Sequence, residues 1–249
     1  MSQWVWIGGA IAVESVLQAN SREVRLIYST LERFDSRMAR INRLARERFV
    51  PINAQREDTL TALLQWSGHG GIAAEVGPRE LSPLGDLVAG PAPALFMLDG
   101  IEDPFNFGQA VRALYAAGID GLVVRSRNWL MSGAAVRASA GATELLPIAE
   151  AQSADEAATA ARARGLRVAV ADEDGAPMSE TDLTGPLLLV IGGEKRGITR
   201  SFRRAADLRV RIPYGRPFAY ALGSAAAATL LAFEVLRQRG AGRATDAAP

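Results

Sequence analysis

The sequence predicts an α/β protein with a mostly parallel sheet in its C-terminal part and a smaller α/β domain ahead of it. Beyond residue 94, short apolar segments alternate with helix-like segments, which is typical of parallel strands joined by crossover helices. Residues 77–93 are rich in proline and glycine, so we interpret them as a linker. We therefore predict domains at residues 1–76 and 94–240, followed by a disordered tail at 241–249.

In the first domain, helix-like and strand-like patterns follow one another in order. The predicted helices are Ala10–Ala19, Leu31–Arg48 and Thr59–Trp66. The predicted strands are Val24–Ser29, Phe49–Asn53 and one that follows the glycine-rich turn SGHGG.

In the second domain, the same alternation continues to the last helix. The predicted strands are Leu95–Asp99, Gly121–Arg125, Arg167–Asp172, Pro186–Ile191 and a short one that ends at Ile212–Pro213. The predicted helices are Gly108–Ala117, Ala134–Ala140, Ser153–Arg164 and Ser224–Arg239.

The composition excludes several kinds of site. The chain has no cysteine, which excludes disulfides, thiolate zinc sites, iron–sulfur clusters and cysteine nucleophiles. Its one histidine, His69, argues against a histidine-based triad or a multi-histidine metal site. We therefore predict no bound metal, and acid–base chemistry that depends on Arg, Glu, Asp, Lys or Tyr, or on the substrate itself.

Neither a membrane span nor a signal peptide is predicted. Leu187–Ile191, which is among the longest apolar runs, has only the length of a strand. The apolar N-terminal segment lacks a basic region and is interrupted by Glu14, so we interpret it as folded protein and expect a cytoplasmic location. The net charge is only +1, so the molecule as a whole is not a polycation, although a local arginine surface would still match phosphate groups.

The first unusual segment, LDGIEDPFNFGQAVRALYAAGIDGLVV, spans residues 98–124. Its strand ends in Asp99, an acidic loop follows, and a helix is predicted to begin near Asn106 and Gly108, with Arg112 one turn further. Polar groups after a parallel strand lie where open α/β sheets bind ligands. Asn106 as a helix cap and Arg112 as a solvated helix residue explain the segment equally well.

The second unusual segment, LLLVIGGEKRGITRSF, spans residues 187–202. An apolar strand leads directly into Gly192, Gly193 and Glu194, and glycines here let the backbone approach a ligand closely. The spacing is neither that of a P-loop nor that of the dinucleotide fingerprint. A tight strand–helix turn would look much the same.

The third unusual segment, VRIPYGRPFAYALGSAAAATLLAFEVLRQR, spans residues 210–239. A short strand is followed by a polar, aromatic loop and then by a helix rich in small residues. Taken alone, the segment is best explained as a buried alanine-rich helix.

Together and in this order, the three segments resemble the motifs of the SpoU/TrmH branch of the SPOUT RNA methyltransferases. The first motif is similar to DGIEDPFNFGQAVR at residues 99–112, and the second to IGGEKRG at 191–197. The third resembles Ile212-Pro213 followed by Ala221-Leu222-Gly223. The resemblance covers about residues 94–239 and implies an α/β fold with a trefoil knot, which is a rare topology.

This resemblance implies S-adenosylmethionine as the cofactor and rRNA or tRNA as the substrate. The positions that match the family's cofactor site are Ala171, Gly193, Ile212 and Leu222. The implied reaction is methyl transfer to a ribose 2′-hydroxyl, a poor nucleophile that must lose its proton. A homodimer through the C-terminal domain is also implied.

The positions that match the family's catalytic residues are Arg112, Asn106 and Glu194. Arg112 would activate or orient the 2′-hydroxyl, and orientation is the safer assignment because the pKa of arginine is normally above about 12. Asn106 would position Arg112 or the ribose. Glu194 would fix the loop of the second motif or interact with Arg112.

One departure from the family concerns the third motif. The family usually has Ser-Leu-Asn where this chain has Ala221-Leu222-Gly223, so a hydroxyl and an amide are missing. A cofactor-binding or RNA-binding protein with little catalysis is therefore the alternative function. A dehydrogenase is a more distant alternative, because the glycine fingerprint is absent.

The first domain is similar to the L30e-like substrate domains that precede many of these enzymes, and GHGGI at residues 68–72 resembles their closing turn. Its helix from Arg33 to Arg48 carries six arginines, of which Arg33, Arg37 and Arg40 share one face. Contact with RNA phosphates and a solvated face balanced by nearby acids explain this pattern equally well.

Overall fold

The computed structural model describes residues 4–30, 35–89, 91–126, 128–193 and 197–240. This part of the chain forms two compact units. The N-terminal unit comprises the described residues of Met1–Leu81, Asp103–Arg112 and Asn128–Leu146. The C-terminal unit comprises those of Ser82–Glu102, Ala113–Arg127 and Pro147–Pro249.

The strands and helices are numbered in chain order. The strands are β1 (Val5–Gly8), β2 (Val24–Ser29), β3 (Ile52–Ala54), β4 (Ile72–Val76), β5 (Ala94–Asp99), β6 (Gly121–Val124), β7 (Ile148–Glu150), β8 (Arg167–Pro177), β9 (Leu187–Gly192) and β10 (Leu208–Arg211). The helices are α1 (Ala10–Ala19), α2 (Ser36–Glu47), α3 (Glu57–Leu64), α4 (Leu84–Leu87), α5 (Pro104–Ala116), α6 (Gly133–Ala138), α7 (Ala142–Leu145), α8 (Ala154–Ala163), α9 (Arg200–Ala205) and α10 (Ser224–Gln238). Within the described ranges, no helix is both long and apolar enough to cross a membrane.

The N-terminal unit is built on a four-stranded sheet in the order β1-β4-β2-β3. Strand β4 runs antiparallel to both of its neighbours, whereas β3 runs parallel to β2. Helix α2 buries Met38, Ile41 and Ala45, which recur at helical spacing and so lie on one face. The Asp35 carboxylate caps this helix by accepting a hydrogen bond from Met38 N at 2.7 Å. The predicted earlier start at Leu31 lies outside the described residues.

The C-terminal unit is built on a six-stranded parallel sheet in the order β10-β8-β9-β5-β6-β7. The central strands are buried along nearly their whole length, as expected when helices cover both faces of a sheet. From β5 the chain continues outward to β6 and β7, whereas β8, β9 and β10 lie on the other side of β5. Open parallel sheets bind ligands at the carboxyl ends of their strands where the order reverses in this way.

The predicted alternation of strands and helices in the C-terminal part, and its parallel sheet, are confirmed. Helix α5 begins at Pro104, earlier than predicted, because the Asp103 carboxylate accepts a hydrogen bond from Asn106 N at 2.7 Å. Asn106 therefore lies in the first turn, and its interpretation as the helix cap was wrong. Strands β1 and β7 were not predicted, because four and three residues are too short to show a periodic pattern.

A fully buried ion pair joins distant segments of the N-terminal unit. The side chains of Arg22 and Glu144 are both 0% exposed. Two guanidinium nitrogens of Arg22 donate to the two carboxylate oxygens of Glu144, each at 2.8 Å. Ser21 Oγ and Thr143 Oγ1 donate to the same carboxylate at 2.6 and 3.0 Å. Burial by itself raises the pKa of Glu144, but the hydrogen bonds and charge of Arg22 outweigh burial and leave that pKa below its ordinary value.

We expect Glu144→Gln to lower the free energy of unfolding by about 3–5 kcal/mol, because the substitution leaves the Arg22 charge buried without its counterion. Glu47→Gln is the matched control: Glu47 pairs with Arg43 on the exposed face of α2, and its loss should cost no more than about 0.5 kcal/mol. Urea denaturation of the two variants measures both effects. An equal loss of unfolding free energy in the two variants would show that the buried pair of Arg22 and Glu144 stabilises the fold no more than a surface ion pair does.

The stabilisation by Glu144 should also depend on pH. A carboxylate whose pKa is lower in the folded state stabilises that state above its unfolded pKa, which is about 4.3 for glutamate. We therefore expect the stability difference between wild type and Glu144→Gln to be full at neutral pH. The difference should disappear as the pH falls through the pKa of Glu144 in the folded protein.

Candidate active site

The C-terminal unit contains a cavity of about 870 Å³ at the carboxyl ends of β9 and β10 and beside the middle of β8. All four residues predicted to bind the cofactor line this cavity. Ala171 lies on β8, Gly193 directly follows β9, Ile212 directly follows β10, and Leu222 shortly precedes α10. The structure thus brings together residues from four separate segments of the sequence.

An irregularity between β8 and β10 lies at the wall of this cavity. Arg209 pairs with Val170 and the next residue, Val210, pairs with Ala176, so residues 171–175 have no partner in the ladder. This segment contains Ala171 and Asp172, which both line the cavity. At Gly175 this segment passes close to the backbone of β10. Glycine is needed there, because a Cβ atom would lie 2.4 Å from the Arg209 carbonyl oxygen.

The glycine turn after β9 packs tightly against the end of β5. Gly193 N donates to the Asp99 carbonyl at 2.8 Å, and a Cβ atom on residue 193 would lie 2.0 Å from the Gly100 carbonyl oxygen. Ser224 Oγ, at the start of α10, donates to the Gly192 carbonyl at 3.2 Å. Glycine at 193 is therefore required by the backbone that surrounds it, whether or not a ligand is bound.

Asp172 is the buried acid of the cavity wall. Its carboxylate accepts from Arg209 Nε at 2.7 Å and from Arg203 Nη1 at 3.2 Å. Burial by itself raises the pKa of Asp172, but the Arg209 hydrogen bond and the nearby positive charges outweigh burial, and the pKa lies below its ordinary value. Asp172 is therefore ionised at neutral pH, and its charge is neutralised by its two arginine partners.

Three aromatic residues between β10 and α10 belong to the cavity and were not predicted as site residues. Tyr214, Phe218 and Tyr220 line the same cavity and are 41%, 62% and 74% exposed. Tyr214 OH donates to the Tyr220 carbonyl at 3.3 Å and accepts from Leu222 N at 3.1 Å. The only sequence signal was the density of aromatic residues in a loop between two motif residues.

Two of the three predicted catalytic residues, Arg112 and Asn106, are not part of this lining. Arg112 and Asn106 belong to the N-terminal unit, where Arg112 lines a second cavity of about 440 Å³ together with Arg37 and Arg137. Arg112 is exposed and makes no hydrogen bond or ion pair with any described residue. Asn106 is half-buried on α5. Glu194 lies outside the described residues.

The arginine face of α2 is partly neutralised within the N-terminal unit. Arg37 and Arg40 both pair with Glu14, at 2.9 and 2.5 Å, and Arg33 lies outside the described residues. For Arg37 and Arg40 the structure agrees with a face balanced by nearby acids. Across the ranges that the structure describes, no group of three or more His, Cys, Asp or Glu side chains could hold a metal ion.

Two family models match most of the chain. Residues 93–232 match the SpoU rRNA methylase family. Residues 6–82 match the region described as RNA 2′-O ribose methyltransferase substrate binding. The first match contains the cavity residues and all three motifs, and it spans more than half of the chain.

Individual proteins agree with the family models. A 23S rRNA (guanosine-2′-O-)-methyltransferase RlmB of Pseudomonas syringae is 32% identical over 98% of this chain and 99% of its own length. The SpoU methyltransferase AviRb of Streptomyces viridochromogenes, solved with its cofactor AdoMet, is 25% identical with a TM-score of 0.79, over 96% of this chain and 92% of its own. An AdoMet-bound rRNA methyltransferase of Sinorhizobium meliloti has a TM-score of 0.80 at 21% identity, over 94% and 87%, which shows a shared fold. The chain therefore belongs to the SpoU rRNA methylase family.

Proposed function

We propose that this chain transfers the methyl group of S-adenosylmethionine to a ribose 2′-hydroxyl of rRNA. The main support is the convergence of Ala171, Gly193, Ile212 and Leu222 on one cavity in a member of the SpoU rRNA methylase family. The near full-length similarity to a named 23S rRNA methyltransferase favours an enzyme over a binding protein without catalysis. It also makes a guanosine of 23S rRNA the first substrate to test.

The cavity suits the cofactor in size and chemistry. Its volume of about 870 Å³ lies within the range of small-ligand pockets, roughly 300–1,000 Å³. Ile212 and Leu222 provide apolar contacts, and the turn at Gly192–Gly193 presents backbone without side chains. When bound, S-adenosylmethionine supplies an activated methyl group. The four lining residues would hold it, largely through backbone groups.

Arg112 is the proposed residue for the 2′-hydroxyl. His69, the one histidine, is fully buried, and both of its ring nitrogens have partners: Nδ1 accepts from Gly71 N at 3.1 Å, and Nε2 lies 3.0 Å from Thr61 Oγ1. His69 is therefore a structural residue and not the base. We propose that Arg112 orients the hydroxyl and the neighbouring phosphate through its planar guanidinium, with Asn106 and Glu194 as positioning residues.

We propose further that residues 1–76 capture the RNA and that residues 94–240 perform the methyl transfer. The substrate-binding family model at residues 6–82 supports the first assignment. In the same compact unit, Arg112 and Arg137, which come from the 94–240 part of the chain, line the smaller cavity and would add guanidinium contacts to RNA phosphates. A cytoplasmic homodimer with a knotted C-terminal domain completes the proposal, and its dimer contact would include α10, whose small residues permit close packing.

The function is tested by mapping 2′-O-methylation across total RNA from a strain that lacks the gene. We expect one rRNA position to lose its methyl group, and the purified protein with S-adenosylmethionine to restore it on unmodified rRNA. An unchanged methylation map, together with no methyl incorporation by the purified protein, would reject the proposal.

A further inference from the structure

We propose that Phe218 and Tyr220 form a stacking surface for the base of the nucleotide that is methylated. This inference rests on the proposed function, because it requires an RNA strand at the larger cavity. The inference adds a binding site for the base to the proposed site of ribose methylation. The loop that carries both rings leads into Ala221-Leu222-Gly223, where the family usually has Ser-Leu-Asn.

The two rings are exposed and lie next to each other. The centroids of Phe218 and Tyr220 are 5.5 Å apart at an interplanar angle of 65°, and those of Tyr214 and Phe218 are 6.2 Å apart at 57°. Phe218 is 62% and Tyr220 74% exposed, so each ring has free surface. Single-stranded RNA bases stack on phenylalanine and tyrosine rings presented in this way.

The aromatic loop is held in place before any RNA binds. The Tyr214 hydroxyl bonds to the backbone at both Tyr220 and Leu222, at 3.3 and 3.1 Å. These bonds fix the segment that carries Phe218 and Tyr220 to the segment that carries the proposed cofactor residue Leu222. Because the loop is already ordered, a base that binds there meets a smaller entropic cost.

The charge around the aromatic rings suits RNA. Arg211 and Arg216 line the same cavity, and neither side chain has a hydrogen bond or an ion pair with a residue that the structure describes. Their guanidinium groups can therefore bind phosphates on either side of a stacked base. Aromatic rings with interspersed arginines are the usual composition of a single-strand binding surface.

The test compares Phe218→Ala and Tyr220→Ala with wild type in RNA binding and methyl transfer. The RNA is a short synthetic copy of the methylated rRNA region, made with and without the base at the methylated position. We expect each variant to bind the complete RNA about 5- to 150-fold more weakly, the range for the loss of one stacked base. The melting temperature should not change, because both rings are exposed. Both rings line the cavity of the proposed cofactor site, so the affinity for S-adenosylmethionine is measured separately in each variant.

The RNA that lacks the base provides the decisive comparison. Wild type should bind it as weakly as the variants bind the complete RNA, and the variants should lose little further affinity on it, because each change removes the same contact. Phe218→Trp should retain binding. Phe49→Ala is the matched control, because Phe49 is 95% exposed and does not line this cavity.

Three other results would contradict the stacking proposal, and each indicates a different role for the loop. If the variants lose affinity for S-adenosylmethionine, the loop covers the cofactor. If their mass in light scattering falls, the loop contacts a second copy of the chain. If base removal and ring removal weaken binding additively, the rings do not contact that base. If wild type methylates no rRNA at all, the proposed function itself fails. If wild type and both variants methylate rRNA equally well, only the inference about the rings fails.

Discussion

Arg112→Ala should reduce methyl transfer at saturating RNA and cofactor by about 10²- to 10³-fold, the usual cost of removing one preorganised hydrogen-bond donor from the reacting group. Cofactor affinity should remain nearly unchanged, because the residues proposed to hold the cofactor belong to the C-terminal unit and Arg112 to the other. The fold should persist as well, since Arg112 is exposed and makes no ion pair or hydrogen bond with any described residue. Arg112→Lys should restore little activity, because a point charge does not reproduce the planar fork.

The location of Arg112 makes its role open to a direct kinetic test. It lines the smaller cavity with Arg37 and Arg137, where a guanidinium could also serve only to bind an RNA phosphate. Loss of a phosphate contact raises the KM for RNA and leaves kcat intact, whereas loss of a transition-state contact lowers kcat. Arg46→Ala is the charge-matched control, because Arg46 is exposed on α2 and lines neither cavity. Wild-type kcat in Arg112→Ala would reject the catalytic assignment.

The resemblance to the family's motifs named four of the residues that line the larger cavity. Strand ends that are far apart in sequence meet at one edge of a parallel sheet, so a residue after β9 and one after β10 could be expected to meet. The same reasoning did not extend to the aromatic loop. Its cavity-lining role depends on loop backbone conformation, which has no periodic signal in the sequence.

Contacts between segments that are far apart in the chain could not be predicted from the sequence either. Arg22 and Glu144 are 122 positions apart, and nothing in either local pattern indicates that one neutralises the other. Residues 103–112 were expected in the C-terminal domain because they belong to the first motif, and they pack with the N-terminal unit. The knot, the domain boundaries, the homodimer and the role of Glu194 stay predictions.

Gly193→Ala should abolish tight binding of S-adenosylmethionine. The added Cβ atom would lie 2.0 Å from the Gly100 carbonyl oxygen and 2.6 Å from its carbonyl carbon, which are backbone atoms that cannot rotate away. Either the turn after β9 or the loop after β5 must therefore move. The turn after β9 lines the cavity, so we expect its displacement to distort the cofactor site. We expect affinity to fall by more than about tenfold, since a displacement that costs over about 1.4 kcal/mol of binding free energy has that effect. Gly193→Val should lower the affinity at least as far.

Gly215→Ala is the matched control for this substitution. Gly215 lines the same cavity, but a Cβ atom there would have no neighbour within 4 Å, so its affinity for S-adenosylmethionine should equal that of wild type. Calorimetry gives the affinities of both variants, and thermal melting separates a local change of the cavity wall from unfolding. Because the clash at 193 is with backbone at the end of β5, a modest fall in melting temperature is expected alongside the loss of binding. Undiminished affinity in Gly193→Ala, or an equal loss in Gly215→Ala, would show that the turn after β9 does not shape the cofactor site.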